Sequence, residues 1–421
     1  MDGKGPRIAV VGAGLGGLAA AAAMRRRGLD VTVYERADRL REDGVGMHLG
    51  PNGTRLLRRL GLDGFLAEHA VRPEALEVRA FADGRVLTRQ EMGAAWEEEF
   101  GAPYLTAHRG ELHRALAGLL PEGVVRTGKE LVAHEETADG VRLEFADGDV
   151  AHADVLIGAD GVHSLVRRSV AGGENPVFSG NSAFRGLVDA DAVPALSPDL
   201  MYMFAGPAAR LLCYPVSGGR QFTYVAVVPD PDWTEESWTS AGRREDLAAA
   251  LAGWTPEALS VAAGAGEVRR WALYDREPLE RWSTARTTLL GDAAHPMLPH
   301  HGQGANQAFE DGMALALCLA EAEPGRAGVA AALRRYEDSR RPHTAKVQLG
   351  SRDSGSLRLG GGRPQRGGAP GAAGSAGNSG TPGALSRMVQ DVGWIQRHDA
   401  EAALAAGPGT RAAATGGDIG G

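Results

Sequence analysis

The residues Gly12-Ala13-Gly14-Leu15-Gly16-Gly17 carry the spacing GxGxxG between an apolar β run, Ile8 to Val11, and an alanine-rich helical run, Leu15 to Arg27. In that context the glycines suit a dinucleotide's pyrophosphate. The first permits a tight turn, the second lets backbone approach phosphate, and the third lets helix and strand pack closely. The start of the helix supplies free N–H groups and a positive dipole end. Glu35 ends a second β run, Val31 to Tyr34, where a carboxylate accepts hydrogen bonds from an adenosine ribose. Two later segments repeat the logic of an acid after an apolar strand: Val155-Leu156-Ile157-Gly158-Ala159-Asp160-Gly161 and Leu289-Leu290-Gly291-Asp292. Either alone reads as a turn. Their order after GxGxxG points to one shared site.

These residues need a scaffold, and the pattern supplies one. Strand, helix and strand from Ile8 to Tyr34 form a βαβ unit that opens a parallel sheet. Asp83-Gly84 and Asp147-Gly148 sit between paired β runs as hairpin turns do. From Ser182 to Val228 the chain is β-rich, as in Leu211 to Tyr214 and Phe222 to Val228, and reads as an inserted antiparallel sheet. The first domain resumes with a strand, Thr287 to Leu290, and a helix from about Ala305 to Ala320. A further helix over Ala330 to Arg340 is expected to kink or end at Pro342. The expected fold is α/β: a Rossmann-like domain with a parallel sheet (1–75, 100–175 and 272–349) and an antiparallel-sheet substrate domain (76–99 and 176–271). A Gly-rich flexible linker (350–383), a C-terminal helix (384–406) and a disordered tail (407–421) complete the expectation.

Composition narrows the partners. A net charge of -8 from interspersed acids and arginines, without basic tracts, argues against nucleic acid and against an anionic membrane surface. The uncharged stretch Ile8 to Met24 is short for a membrane span, which takes about 20 apolar residues, and its glycines mark a turn. Cys213 and Cys318 have no CxxC spacing, so neither a disulfide framework nor a metal site is expected, and the cytoplasm is the expected compartment.

From residue 7 to about 350 the sequence resembles the class A flavoprotein aromatic hydroxylases, the family of para-hydroxybenzoate hydroxylase and salicylate hydroxylase. The resemblance implies non-covalent FAD held by Gly12, Gly14, Leu15, Gly17, Glu35 and Arg36. It implies that Asp160-Gly161 serves both FAD and the nicotinamide cofactor and that Asp292 holds the ribityl chain. The loop Pro299-His300-His301-Gly302-Gln303-Gly304-Ala305-Asn306 is implied to lie against the flavin ring, where glycines allow close approach and helix N–H groups stabilise negative charge. Arg109, in His108-Arg109-Gly110, matches the family's cofactor arginine; Arg41, before Gly44-Val45-Gly46, is a weaker match.

Among subfamilies the sequence looks most like 6-hydroxynicotinate 3-monooxygenase and the salicylate hydroxylases. Gly46-Met47-His48-Leu49-Gly50-Pro51-Asn52, Cys213-Tyr214 and His295 to His300 match motifs whose His, Tyr and His lie at the substrate. The implied reaction is reduction of FAD by NADH or NADPH, formation of a flavin C4a-hydroperoxide from molecular oxygen, and hydroxylation of a small phenolic aromatic or hydroxypyridine carboxylate. His48 or His300 is the expected base and Tyr214 the orienting hydrogen bond. An aminohydroxybenzoate in biosynthesis and salicylate or 6-hydroxynicotinate in catabolism both fit. A flavin halogenase lacks its WxWxIP signature here. A flavin dehydrogenase or reductase remains the alternative, a non-catalytic flavin-binding protein is a further reading, and the assembly is expected to be a monomer or homodimer.

Overall fold

The computed structural model describes residues 5–40, 44–172, 176–230, 232, 241–355 and 392–406. Arg41, the 356–383 part of the expected linker, residues 384–391 and the 407–421 tail lie outside the described residues. Five parallel strands form the first sheet, in the order Thr287–Leu289, Val155–Gly158, Arg7–Val11, Asp30–Tyr34, Val125–Arg126. The Arg7–Val11 strand is central, and its side chains from Ile8 onward are buried, as parallel sheets covered on both faces require. The helix Leu15–Arg26 packs its alanines on the long helix Gly304–Ala320, and a Cβ on Gly312 would stand 2.9 Å from Ala20 Cα. Small residues on both sides bring the two backbones together.

A seven-stranded sheet runs in the order Arg269–Asp275, Val177–Asp189, Gln221–Pro229, Arg210–Val216, Leu200–Ala205, Ala75–Ala80, Val86–Glu91. Its pairings are antiparallel except one: Leu200–Ala205 runs parallel to Ala75–Ala80 and so joins the early hairpin to the later strands. One face packs Phe184, Tyr202, Phe204 and Tyr224 against Leu247, Leu251 and Val261 of two short helices. The alternate residues, among them Arg185, Arg210, Leu212 and Tyr214, fall on the opposite face by the two-residue period of a strand. That second face roofs the glycine loops of the first sheet. A Cβ on Gly46 would lie 2.7 Å from the Tyr214 ring and 2.2 Å from Thr223 Cγ2.

Two expectations change near the C-terminus. The helix beginning at Arg326 does not end at Pro342 but continues to Gly355, into the span expected to be linker. Tertiary bonds hold it on both sides of the proline. Arg340 pairs with Glu310 and Asp311, Gln348 donates to the Arg276 and Pro296 carbonyls, and Ser351 donates to the Leu298 carbonyl. Over residues 392–406 the expected single helix is two short ones, Gly393–Gln396 and Ala400–Ala405, broken at Asp399, whose carboxylate caps the second. Asp399 and Glu401 also pair with Arg59, strapping this segment onto the first domain.

Candidate active site

The GxGxxG loop has the shape its sequence demands. Gly12 holds φ +107°, and a Cβ there would meet the Ala159 carbonyl oxygen at 2.3 Å. A Cβ on Gly17 would stand 2.0 Å from the Gly12 carbonyl oxygen. Gly14 differs: a Cβ there meets no protein atom within 4 Å, so the space it leaves is available to a ligand. The Leu15–Arg26 helix starts at this point with no side-chain cap. His113, buried and kept neutral by that burial, donates from Nε2 to the Ala13 carbonyl at 2.6 Å and fixes the loop. Glu35 accepts from the Ala13 N–H at 2.9 Å and the Ala37 N–H at 2.9 Å, while Leu15 is buried and Arg36 exposed beside it.

The two later acids divide their labour. Asp160 spends its carboxylate on the helix Leu165–Ala171, accepting from Leu165 N–H at 2.8 Å, Val166 N–H at 3.2 Å and the Ser164 hydroxyl at 2.5 Å. Gly161, at φ +77°, makes the turn that allows this. Asp292 is presented instead. It is open to solvent, yet protein packed around it raises its carboxyl above the ordinary range, against the pull of His295 and Arg109. An acid that is both accessible and desolvated lines a recess, not the outer surface. Arg109 shares that recess; burial lowers its pKa and Asp292 partly restores it. Asp311, not singled out in the sequence, sets the loop: its Oδ2 accepts from the Gly291 N–H at 3.0 Å and from His295 Nε2 at 2.6 Å. Its Oδ1 takes Arg340 Nε at 2.8 Å.

The third loop runs from the turn Pro299–His301 through Gly302, at φ +63°, into the Gly304–Ala320 helix, which has no side-chain cap. Its first N–H groups, from Gly304, Ala305 and Asn306, lack partners within the helix. Asn306 is a brace: its buried side chain bonds the Gly50 N–H and the carbonyls of His48 and Gly302. This ties the His48 loop to the Gly302 loop, and a Cβ on Gly302 would lie 3.1 Å from the His48 ring.

His48 and Tyr214 meet with ring centroids 4.3 Å apart. Burial lowers the His48 pKa to about 4 and pushes the Tyr214 hydroxyl well up. Tyr104, which the sequence did not single out, places its hydroxyl 2.6 Å from His48 Nδ1. His300 contacts the Arg210 guanidinium through both ring nitrogens, one at 3.2 Å and the other closer. Burial first, then Arg210 and His301, bring its pKa to about 2. Tyr104 has no local signal in the sequence. Arg210 had one, since it lies four residues before Tyr214 on the same strand and hence on the same face.

An open Gly14, a solvent-facing but desolvated Asp292, Arg109 beside it and an uncapped helix after Gly302 fit FAD along its length, from pyrophosphate to ring. The profile described as "FAD binding domain" matches residues 7–350. A 3-amino-4-hydroxybenzoate 2-monooxygenase of Streptomyces cremeus is 48% identical over 347 residues, 82% of this chain and 86% of that protein. A 6-hydroxynicotinate 3-monooxygenase of Bordetella bronchiseptica is 39% identical over 364 residues, 85% of this chain and 93% of that one. The solved structure of Klebsiella pneumoniae HpxO complexed with FAD and uric acid aligns with a TM-score of 0.77 at 28% identity, covering 95% of each chain. The chain belongs to the FAD binding domain family of flavin hydroxylases. It is an FAD-dependent aromatic monooxygenase that uses NAD(P)H and oxygen. Among the described residues no helix is long and apolar enough to cross a membrane.

Proposed function

We propose that the chain hydroxylates a small aromatic acid bearing a ring hydroxyl, of the 3-amino-4-hydroxybenzoate or 6-hydroxynicotinate type, in the space between the roof sheet and the Gly302 loop. The observation that carries this reading is the meeting of His48 and Tyr214 under the roof, with the His48 carbonyl tied by Asn306 to the Gly302 loop. Bound FAD supplies hydride acceptance and oxygen activation, the chemistry that side chains lack. The protein's part is to hold the pyrophosphate at Gly14, position the ribityl chain at Asp292, exclude water and manage the substrate's phenolic proton.

His48 is the better base of the two histidines. The lone pair of His300 is engaged by a guanidinium, whereas His48 Nδ1 meets only a neutral tyrosine. When His48 donates from Nδ1 to Tyr104, its Nε2 lone pair is free to take a proton. Burial alone makes the imidazolium unfavourable, but a phenolate in the same recess favours it. Tyr214 orients the ring hydroxyl. Arg109, Gly161, Pro299, Gly304 and Ala305 complete the cofactor cradle. Cys213 and Cys318 are buried and unpaired, which suits a cytoplasmic enzyme.

The test is a panel of hydroxybenzoates, aminohydroxybenzoates and hydroxypyridine carboxylates scored for stimulated NADH and NADPH oxidation. Stimulation with a hydroxylated product supports the reading. Oxidation indifferent to every aromatic acid would point to a simple reductase.

A further inference from the structure

We propose that the C-terminal strap, residues 392–406, acts on the reaction: its Gln396 and His398 are positioning residues that hold the His48 loop against the Gly302 loop and Tyr104. The inference rests on the reading above that His48 stands at the reacting end of the site. The family profile matches residues 7–350, so the strap lies beyond the stretch that carries the family's motifs.

The strap grips the chain on both sides of the contact between His48 and Tyr104. On the His48 side it packs on Gly50 and on the helix Pro51–Arg59, whose Arg59 pairs with Asp399 and Glu401. On the Tyr104 side lies the helix Gly93–Phe100, which ends just before that tyrosine. There Arg397 pairs with Glu99 and sits over the Phe100 ring, 4.9 Å from its centroid. Arg55 joins the two sides, donating to the His398 carbonyl at 3.0 Å and to the Phe100 carbonyl at 2.7 Å.

His398 reaches further in. Its Nδ1 donates to Glu310 Oε2, and His343 stacks on its ring with centroids 3.7 Å apart, which fixes the plane of the imidazole. Glu310 is fully buried, and its Oε1 accepts from Asn52 Nδ2 at 2.7 Å. Asn52 Nδ2 also donates to Gln303 Oε1 at 3.0 Å. One carboxylate thus ties the strap to the loop after His48 and, through Asn52, to the Gly302 loop. No solvent stands by to replace a lost donor there, because a buried carboxylate depends on the protein for its hydrogen bonds. Gln396 adds a second link. A Cβ on Gly50 would stand 2.4 Å from Gln396 Oε1 and 2.7 Å from Asn52 Oδ1, and neither oxygen has a donor among the described residues. Turned over, the Gln396 amide presents its Nε2 to Asn52. Both residues act through Asn52, not on the substrate.

A catalytic group displaced by about 1 Å can cost about 100-fold in rate. Oxygen insertion should suffer from such a displacement more than nicotinamide oxidation does. The experiment uses the FAD-loaded full chain with 3-amino-4-hydroxybenzoate and 6-hydroxynicotinate as probes, and measures nicotinamide oxidised, hydroxylated product and peroxide. For His398→Leu and Gln396→Leu, product per nicotinamide should fall roughly 10-fold, through kcat for product, with KM within about 3-fold of wild type. In His398→Asn the side-chain amide stands in for Nδ1 as donor, so most of the product should return. The visible flavin band, read with no aromatic acid present, should shift in the leucine variants and return in His398→Asn. Gln396→Leu nearly keeps the side-chain volume and reports even if His398→Leu fails to fold. Variants that melt earlier but keep the wild-type product yield and flavin band overturn the positioning role, as does a His398→Asn no better than His398→Leu. If the wild type hydroxylates neither acid, or His48→Gln matches it, the reading of the site fails; the flavin band then judges the strap separately.

Discussion

Tyr104 places its hydroxyl 2.6 Å from Nδ1 of His48, on the side of the imidazole away from the free Nε2. The contact fixes the ring, and the direction of its proton decides whether Nε2 accepts or donates. Tyr104 itself stays protonated, because burial pushes its pKa up. A tyrosine that cannot ionise is a steady partner for a histidine that must change state.

His48→Gln is therefore expected to keep FAD but lower hydroxylation by roughly 10²–10⁴-fold, the usual worth of general-base help. The loss should shrink as pH rises toward the phenol's own pKa near 10. In the free enzyme the His48 pKa is about 4, below its ordinary 6.5, so His48 is already neutral through pH 6 to 9. The kcat/KM profile of the wild type should accordingly show no acid limb from this residue near pH 6.5. Tyr104→Phe should alter the pH profile more than the FAD content.

Much of this was legible in the sequence, but unevenly. Gly12, Gly14, Gly17, Asp160 and Asp292 announced themselves because glycine loops and strand-end acids need neighbours along the chain. Tyr104, His113 and Asp311 did not, since each acts on a partner distant in sequence: His48, Ala13 and Gly291. Pro342 misled for the same reason, because its helix is held by bonds from Arg340 and Gln348 to other elements.

The glycines of the first loop should separate folding from binding. In Gly14→Val the added side chain enters space empty of protein, so the apoprotein should melt normally yet lose FAD affinity by more than about 10-fold. Gly17→Ala drives a Cβ to 2.0 Å from backbone and should destabilise the apoprotein itself. Paired thermal melts with and without FAD distinguish the two, and equal behaviour of the variants would contradict the loop's assignment.

Arg340 is fully buried between Glu310 and Asp311. Burial raises both acids, but Arg340 with His398 holds Glu310 at about 2, and His295 with Arg340 holds Asp311 low. Carboxyls depressed in the folded state contribute stability above their unfolded pKa, near 4, and lose it as pH falls through the folded value. Arg340→Met should cost about 3–5 kcal/mol at pH 7 by leaving those charges uncompensated. Between pH 4 and 2 the variant should lose less further stability than the wild type. Thermal melts across that range, taken with FAD present, make the comparison.

The central claim is that this chain inserts one oxygen atom from O2 into an aromatic acid. It is tested most directly by turnover of 3-amino-4-hydroxybenzoate and 6-hydroxynicotinate with NADH or NADPH under ¹⁸O2, with the product weighed by mass spectrometry. The account predicts one ¹⁸O per product molecule, with none acquired from H2¹⁸O. Nicotinamide oxidation that yields only peroxide with every aromatic acid tried, or a product whose new oxygen comes from water, would contradict it.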